Sequence, residues 1–442
     1  MDGPLVFDNA MSRDAAQIEE INNTVAAEVD ILLAPDLDAG NILAKNLEYL
    51  AGATLAGIVI GARVPLILTS GSDPPPLPCC SGSVGTATAY RPSLHPSQEI
   101  TYDHCKRTSD HIEHMVQPGK GILAADESLP TIAKRFTPIN AESTEETRRA
   151  YRALLFTAPG IEDYISGVIE FEETLGQRSD DGTPLSEVLA RRGIVPGIKV
   201  DKGKGPLALS PGDLITFGLD GLAERLLHYK SQGARFAKWR EVYAIDAHNP
   251  TALGISANAE VLARYAAVCQ EQGVVPIVEP EVLIDGDHSL ARCAEVTEAV
   301  QKEIFHALHR HHVALEHMIL KPNMVLPGKK HPVRASAEEI AAATLRVLQR
   351  TVPAAMPSIN FLSGGLSPEE ATANLNAMNA DFPDAPWLLS FSYGRALQQL
   401  VLQAWQGQAE NVVAAQRALL KRARLNGAAQ RGEYLATMES SN

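Results

Sequence analysis

Three lysines of this chain occupy equivalent places, each closing a short apolar run: Lys199 in PGIKV, Lys238 in FAKWRE and Lys321 in MILKPNM. A lysine attacks a carbonyl carbon only as the neutral amine, so desolvation or a nearby cation must lower its pKa. Lys238, two runs before Lys321, supplies that nearby charge. Asp126, Glu279 and Glu281 close or follow runs of the same kind. They are the acid and base groups that imine formation and carbon–carbon cleavage require. The constellation points to carbonyl chemistry through a protonated Schiff base that serves as the electron sink.

A second set suits phosphate. In FLSGG, Ser363, Gly364 and Gly365 directly follow an apolar run, where glycine lets backbone N–H groups approach an anion. In SFSYGR, Arg395 ends the next run and offers a planar fork of donors. An SGG on one run beside a Gly-Arg on the next carries more weight than either alone.

The elements that must position these groups are the runs themselves, rich in Val, Ile and Leu. They cover 121–125, 165–169, 193–200, 235–242, 274–282, 318–325, 358–365 and 386–394. Helical segments at 220–232, 259–272, 292–312, 337–349 and 368–378 separate most of them. Strand alternating with helix predicts a parallel sheet with right-handed crossovers. Eight such units predict an α/β protein of the (β/α)8 TIM barrel type. In a closed barrel the C-terminal strand ends share one mouth, so Asp126, Lys199, Lys238, Glu279, Lys321, Ser363 and Arg395 converge there. One charged strand end is an ordinary rim residue. Seven polar groups at one mouth need a common purpose, because unpaired buried charge is costly.

Upstream, residues 70–97 are rich in Pro, Ser and Gly and read as a linker. They separate a fragment at 1–69 from a barrel at 98–442. The fragment alternates a helix at 14–21, a strand at 29–33, a helix at 40–50 and strands at 57–60 and 66–69, a partial α/β sheet.

Over 442 residues the chain is 45% hydrophobic and 21% charged, a globular mixture that excludes global disorder. A net charge of −14 argues against nucleic acid as a partner. Cys79, Cys80, Cys105, Cys269 and Cys293 form no CxxC pair, so reduced structural thiols are expected rather than a disulfide framework or zinc ribbon. The first residues lack a basic start and apolar core, and the apolar stretch at 55–68 is interrupted and too short to span a bilayer. A cytoplasmic protein with no membrane partner is therefore expected. His306, His309, His311 and His312 read as a solvated helix face rather than a metal site, because acidic and Cys ligands are missing at matching spacing. Trp239 reads as packing outside the barrel, and Lys329-Lys330-His331 as a solvated loop after the sixth run.

The ordered motifs GKGILAADES, GIKVDKG, FAKWR, IVEPE, LEHMILKPNM, FLSGG and SYGRAL resemble class I fructose-bisphosphate aldolase across 98–442. The resemblance implies glycolytic and gluconeogenic cleavage of fructose 1,6-bisphosphate, a small phosphorylated sugar. The expected products are dihydroxyacetone phosphate and glyceraldehyde 3-phosphate, with neither metal nor cofactor, in a homotetramer. It implies Lys321 as the Schiff-base lysine and Glu279 as the acid/base that dehydrates the carbinolamine and handles the C4-hydroxyl proton. Asp126 is implied to orient and help deprotonate the substrate hydroxyl, Lys238 to assist imine formation, and Glu281 to place the lysines. Lys199 and Arg240 would contact substrate. Ser363, Gly364, Gly365, Ser392, Gly394 and Arg395 would hold one phosphate, with Ser128 and Arg135 at the other end.

Two departures carry expectations. Leu129-Pro130 stands where the family often has Thr-Gly, which predicts a stiffened loop beside the second phosphate. The last tyrosine is Tyr434, where many relatives end in a mobile tail with a terminal tyrosine, so another group or water would protonate the carbanion. Residues 29–70 resemble the C-terminal part of phosphate acetyl/butyryl-transferases and read as a fused remnant. Acyl transfer by that fragment and a purely scaffolding barrel are the competing readings. Half a two-lobed site opposes the first, and intact Lys321, Glu279, Lys238 and Asp126 oppose the second.

Overall fold

The computed structural model describes residues 57–59, 66–68 and 108–440. The expected helices at 14–21 and 40–50, the strand at 29–33, the linker at 70–97, and Cys79, Cys80 and Cys105 lie outside them. The chain divides into two units, Met1–Ser93 and Leu94–Asn442. In the first, β1 (Gly57–Val59) and β2 (Leu66–Leu68) pair antiparallel, with Gly57 opposite Leu68.

In the second unit eight strands close into a parallel barrel. In chain order they are β3 (Gly121–Ala125), β4 (Ile165–Glu170), β5 (Val195–Lys199), β8 (Phe236–Tyr243), β9 (Val275–Val282), β10 (Ile319–Leu320), β11 (Ser358–Phe361) and β12 (Leu388–Tyr393). An antiparallel hairpin, β6 (Lys204–Pro206) with β7 (Leu214–Thr216), is inserted after β5.

Alternation along the strands decides what faces inward. Ile122, Ala124, Ile169, Val195, Phe236, Val275, Ile277 and Ile319 form one buried cluster, joined by Ile112 and Met115 from a helical stretch over 108–115. Their neighbours one step along, such as Leu123, Val168, Ile198, Ala237, Val278 and Leu320, belong to a larger cluster shared with the helices. Side chains two residues apart share a face. The inward parity of Ile122, Val195, Phe236, Val275 and Ile319 therefore carries Asp126, Lys199, Lys238, Glu279 and Lys321 inward above them. Phe236 plugs the interior because Gly197 makes room. A methyl group on Gly197 would lie 2.3 Å from the Phe236 ring.

The elements differ from expectation where local chemistry intervenes. The run at 318–325 yields a strand of only two residues, because Pro322 has no N–H for the ladder. Lys321 N still donates to Val278 O at 2.8 Å. β11 stops at Phe361 because Gly364 and Gly365, at φ 53° and 90°, turn the chain, and Leu366 N closes the turn onto Ser363 O at 2.9 Å. The helix expected at 259–272 starts earlier, at Ala252, where Thr251 Oγ1 accepts from Gly254 N at 3.0 Å. Leu129-Pro130 corrects an expectation: it is the first turn of the helix Leu129–Phe136, not a loop, and proline is tolerated there because its missing N–H would be unpaired anyway. The helices Glu145–Phe156, Arg395–Trp405 and Val412–Gln430 were not anticipated.

His306 and His309 are exposed on the helix Leu290–Arg310, and His311 Nε2 lies 2.9 Å from Glu260. Trp239 is fully buried outside the barrel lumen against Tyr265, its Nε1 donating to Glu241 at 2.9 Å. Cys269 and Cys293 are free, buried thiols. Among the described residues no helix is long and apolar enough to cross a membrane.

Candidate active site

The C-terminal strand ends open into a cavity of about 770 Å³ whose walls include every site residue named from the sequence. At its floor the charges are buried and mutually paired. Lys238 Nζ, 3% exposed, stands 2.8 Å from Asp126 Oδ2, 3.1 Å from Glu279 Oε2 and 3.9 Å from Asp201 Oδ2. Lys321 Nζ stands 3.1 Å from the other Glu279 oxygen. Glu279 thus bridges the two lysines. β8 and β9 pair Arg240 with Glu279, and β9 and β10 pair Leu320 with Val278, so adjacent strands bring these groups together.

The electrostatics follow from this packing. Burial pushes the Asp126 carboxyl up, but Lys238, Lys321 and Lys199 together hold it well below the usual carboxylate range. Glu279 is likewise raised by burial and brought net down by Lys238, Lys321 and Arg240. Burial alone would depress Lys238, yet Asp126, Glu279 and Asp201 hold it well above an ordinary lysine. The floor is therefore a fixed cation, Lys238, set among carboxylates, with a second amine beside the shared one. That arrangement keeps a proton acceptor in contact with the Lys321 amine and a positive charge where negative charge would develop.

Glu281 meets Arg240. Its Oε2 accepts from both Nε and Nη2 of Arg240, and among the described residues no ion pair joins it to a lysine. Lys199 is held by Asp201 Oδ1 at 2.5 Å. Ser128 occupies the N-cap position of the helix Leu129–Phe136, and its hydroxyl lies 3.0 Å from that of Thr131. Arg135 Nη1 pairs with Glu127 at 2.5 Å, and its Nη2 would lie 3.7 Å from a methyl group on Gly394. Arg135 therefore approaches Gly394.

At the C-terminal ends of the neighbouring strands, Ser363, Gly364 and Gly365 form the turn after β11, and Arg395 begins the helix that follows β12. Leu362 N donates to Pro322 O at 3.0 Å, which stitches the residue before Ser363 to the residue after Lys321. Ser392 is 1% exposed and its hydroxyl has no hydrogen-bond partner among the described residues. Arg395 has no ion pair among them either. Unspent donors gathered at a positive-φ glycine turn are what an anion would complete. Tyr434 lies elsewhere, 8% exposed, its hydroxyl donating to Glu439 at 2.9 Å.

Asp201 and Glu127 escaped the sequence reading. Asp201 lies two residues beyond Lys199 and so shares its inward parity, a signal available in GIKVDKG. Glu127 holds Arg135 and, at 2.8 Å, the buried Arg152, a role only tertiary structure reveals.

A family model for fructose-bisphosphate aldolase class-I matches residues 108–442, and one for phosphate acetyl/butaryl transferase matches residues 1–74. The chain is 53% identical over 344 residues to fructose-bisphosphate aldolase C of Carassius auratus, covering 78% of this chain and 95% of that protein. It is 52% identical over 355 residues to a non-muscle fructose-bisphosphate aldolase of Lethenteron camtschaticum, covering 80% and 96%. Among solved structures, the aldolase of Plasmodium falciparum, in a ternary complex with TRAP and a small-molecule inhibitor, is similar at 49% identity. Its TM-score is 0.74, with 76% of this chain and 96% of that one covered.

Proposed function

This chain belongs to the class I fructose-bisphosphate aldolase family, and from that premise we propose how its own residues divide the work. The reaction is the reversible aldol cleavage of fructose 1,6-bisphosphate, and the enzyme is a lyase. Lys321 attacks the C2 carbonyl of the open-chain sugar. The observation that carries this assignment is the 3.1 Å contact between Lys321 Nζ and Glu279, with Lys238 on the carboxylate's other oxygen. Glu279 relays protons between amine and carbinolamine hydroxyl, so that water leaves and the protonated imine forms. The imine draws the electrons of the C3–C4 bond as that bond breaks. The C4-hydroxyl proton passes to Glu279, with Asp126 orienting the hydroxyl and helping to remove it. Lys238 stabilises the charge that develops, and Asp201 and Glu281 act one layer further out by holding Lys199 and Arg240.

The phosphate nearer the imine belongs at Ser363, Gly364, Gly365, Ser392, Gly394 and Arg395. The 3.0 Å bond from Leu362 N to Pro322 O puts that turn beside the Lys321 backbone, as a phosphate one carbon from C2 requires. Lys199, Arg240, Ser128 and Arg135 face the rest of the sugar and its far phosphate. Binding both ends aligns the C2 carbonyl with the amine, the kind of positioning that supplies much of an enzyme's rate.

The fragment at 1–69 and the linker at 70–97 play no part in this chemistry, and the enzyme works as a cytoplasmic homotetramer without metal or cofactor. The family resemblance supports the assembly and the location, and sedimentation velocity tests the former. Substituting Lys321 by Met tests the mechanism: turnover falls by about three orders of magnitude or more while phosphate ligands still bind.

A further inference from the structure

We propose that Lys329 is a second cation of the phosphate site formed by Ser363–Gly365 and Arg395, with Asp285 as its resting counter-ion. In sequence Lys329 looked like a member of a solvated loop, and it is indeed exposed, but its place is fixed. Its own N–H donates to Ile284 O, that of Gly328 to His288 O and that of Lys330 to Gly286 O, each at 2.8 Å. A methyl group on Gly328 would lie 2.3 Å from Gly286 O, so the loop packs backbone on backbone.

From that anchorage the side chain reaches the glycine turn. A methyl group on Gly365 would lie 3.1 Å from Lys329 Nζ, 3.5 Å from its Cε and 3.8 Å from Arg395 Nη1. Gly365 stands at φ 90°, which keeps that side of the backbone bare. Two cations, one from a loop and one from the start of a helix, thus flank one stretch of naked main chain. They repel each other until an anion lies between them.

The existing partners leave room for one. Among the described residues Arg395 has no ion pair and Lys329 pairs only with Asp285, at 3.3 Å and with that carboxylate 68% exposed. So exposed a pair contributes little, and a phosphate dianion competes with it readily. The ligand class is a phosphate monoester. Lys329 would sharpen preference for a sugar phosphorylated at this end over one that is not.

The inference rests on reading Ser363–Gly365 and Arg395 as a phosphate site, so the experiment separates the two. Inorganic phosphate is titrated calorimetrically into the full chain and its Lys329→Gln, Asp285→Asn and Arg395→Gln variants, and kcat and KM are measured with fructose 1,6-bisphosphate. Lys329→Gln is expected to weaken phosphate binding about fivefold to thirtyfold and to raise KM in parallel, with the change in KM rather than kcat. Asp285→Asn is expected to tighten phosphate binding. Weakened binding in Arg395→Gln but wild-type binding in Lys329→Gln overturns the role of Lys329 alone. Wild-type binding in both overturns the phosphate site itself, and a fall in kcat at constant KM for Lys329→Gln also overturns the proposal.

Discussion

Lys238 is the residue on which the floor of the site depends. It is the common partner of Asp126 and Glu279, and it lies 3.9 Å from Asp201. Removing one partner of a buried ion pair costs about 3–5 kcal/mol, because the charge left behind has lost both solvent and counter-ion. Lys238→Met is therefore expected to lower the melting temperature as well as turnover, and adding Asp126→Asn should recover part of the stability but none of the activity. The pH dependence follows from the directions of the shifts. Asp126 and Glu279 are held below the ordinary carboxylate range, so their stabilisation is present above it and disappears as pH falls through their folded values. Lys238 is held above its ordinary value, so its contribution is complete below that value and is lost only in strong alkali. In Lys238→Met the carboxylates prefer to be neutral, and the deficit in stability against wild type should be larger at pH 8 than at pH 5. Thermal melts of both proteins across that range check it.

At the scale of single elements, β4 carries a test of the inside–outside alternation. Ile169 faces the lumen, so Glu170 faces the helices, where it is fully buried with neither carboxyl oxygen hydrogen-bonded. Burial pushes its pKa up to about 8, with Arg152 pulling only weakly the other way. A carboxyl raised in the folded state stabilises at low pH, and that contribution is lost as pH rises from the ordinary glutamate value towards 8. Glu170→Gln should remove this loss, gaining on the order of 1 kcal/mol or more over wild type at pH 8 and little at pH 5, as denaturant titrations at the two pH values would record. The turn after β11 gives a second test. Gly365→Ala meets both a positive φ and Lys329 Nζ 3.1 Å away, so KM should rise about tenfold or more with the fold intact.

How far these elements were legible depended on their side chains. The buried strands announced themselves as Val, Ile and Leu runs, and the place of Lys199, Lys238, Glu279 and Lys321 at the ends of those runs already put them at one mouth. The lengths of β10 and β11 were misjudged because apolar residues continue past Pro322 and Phe361 after the ladder has ended. The helix Val412–Gln430 went unread because a face rich in Ala, Gly, Asn and Gln packs closely without looking apolar. Gly427 is the clearest case, since a methyl group there would lie 2.5 Å from Gly119 O. Lys329 and Glu127 were invisible as site residues, since their meaning lies in Gly365 and Arg152, partners far along the chain that they meet only in three dimensions, and no local pattern marks them.

For the whole molecule, the cavity and all the groups assigned to it lie within residues 124–395. Nothing in the chemistry calls on the segment that resembles phosphate acetyl/butaryl transferase. A chain starting at residue 98 is expected to keep kcat/KM for fructose 1,6-bisphosphate within about threefold of the full chain, and a larger loss would give that segment a role in assembly or folding. Catalysis rests on a covalent bond at Lys321, and borohydride trapping detects that bond. The full chain is incubated with dihydroxyacetone phosphate in EDTA, reduced, and read by intact mass and peptide mapping. The predicted result is one stable adduct, on Lys321, absent from Lys321→Met. A folded protein that gives no adduct, or carries it on Lys199 or Lys238 instead, would contradict the mechanism.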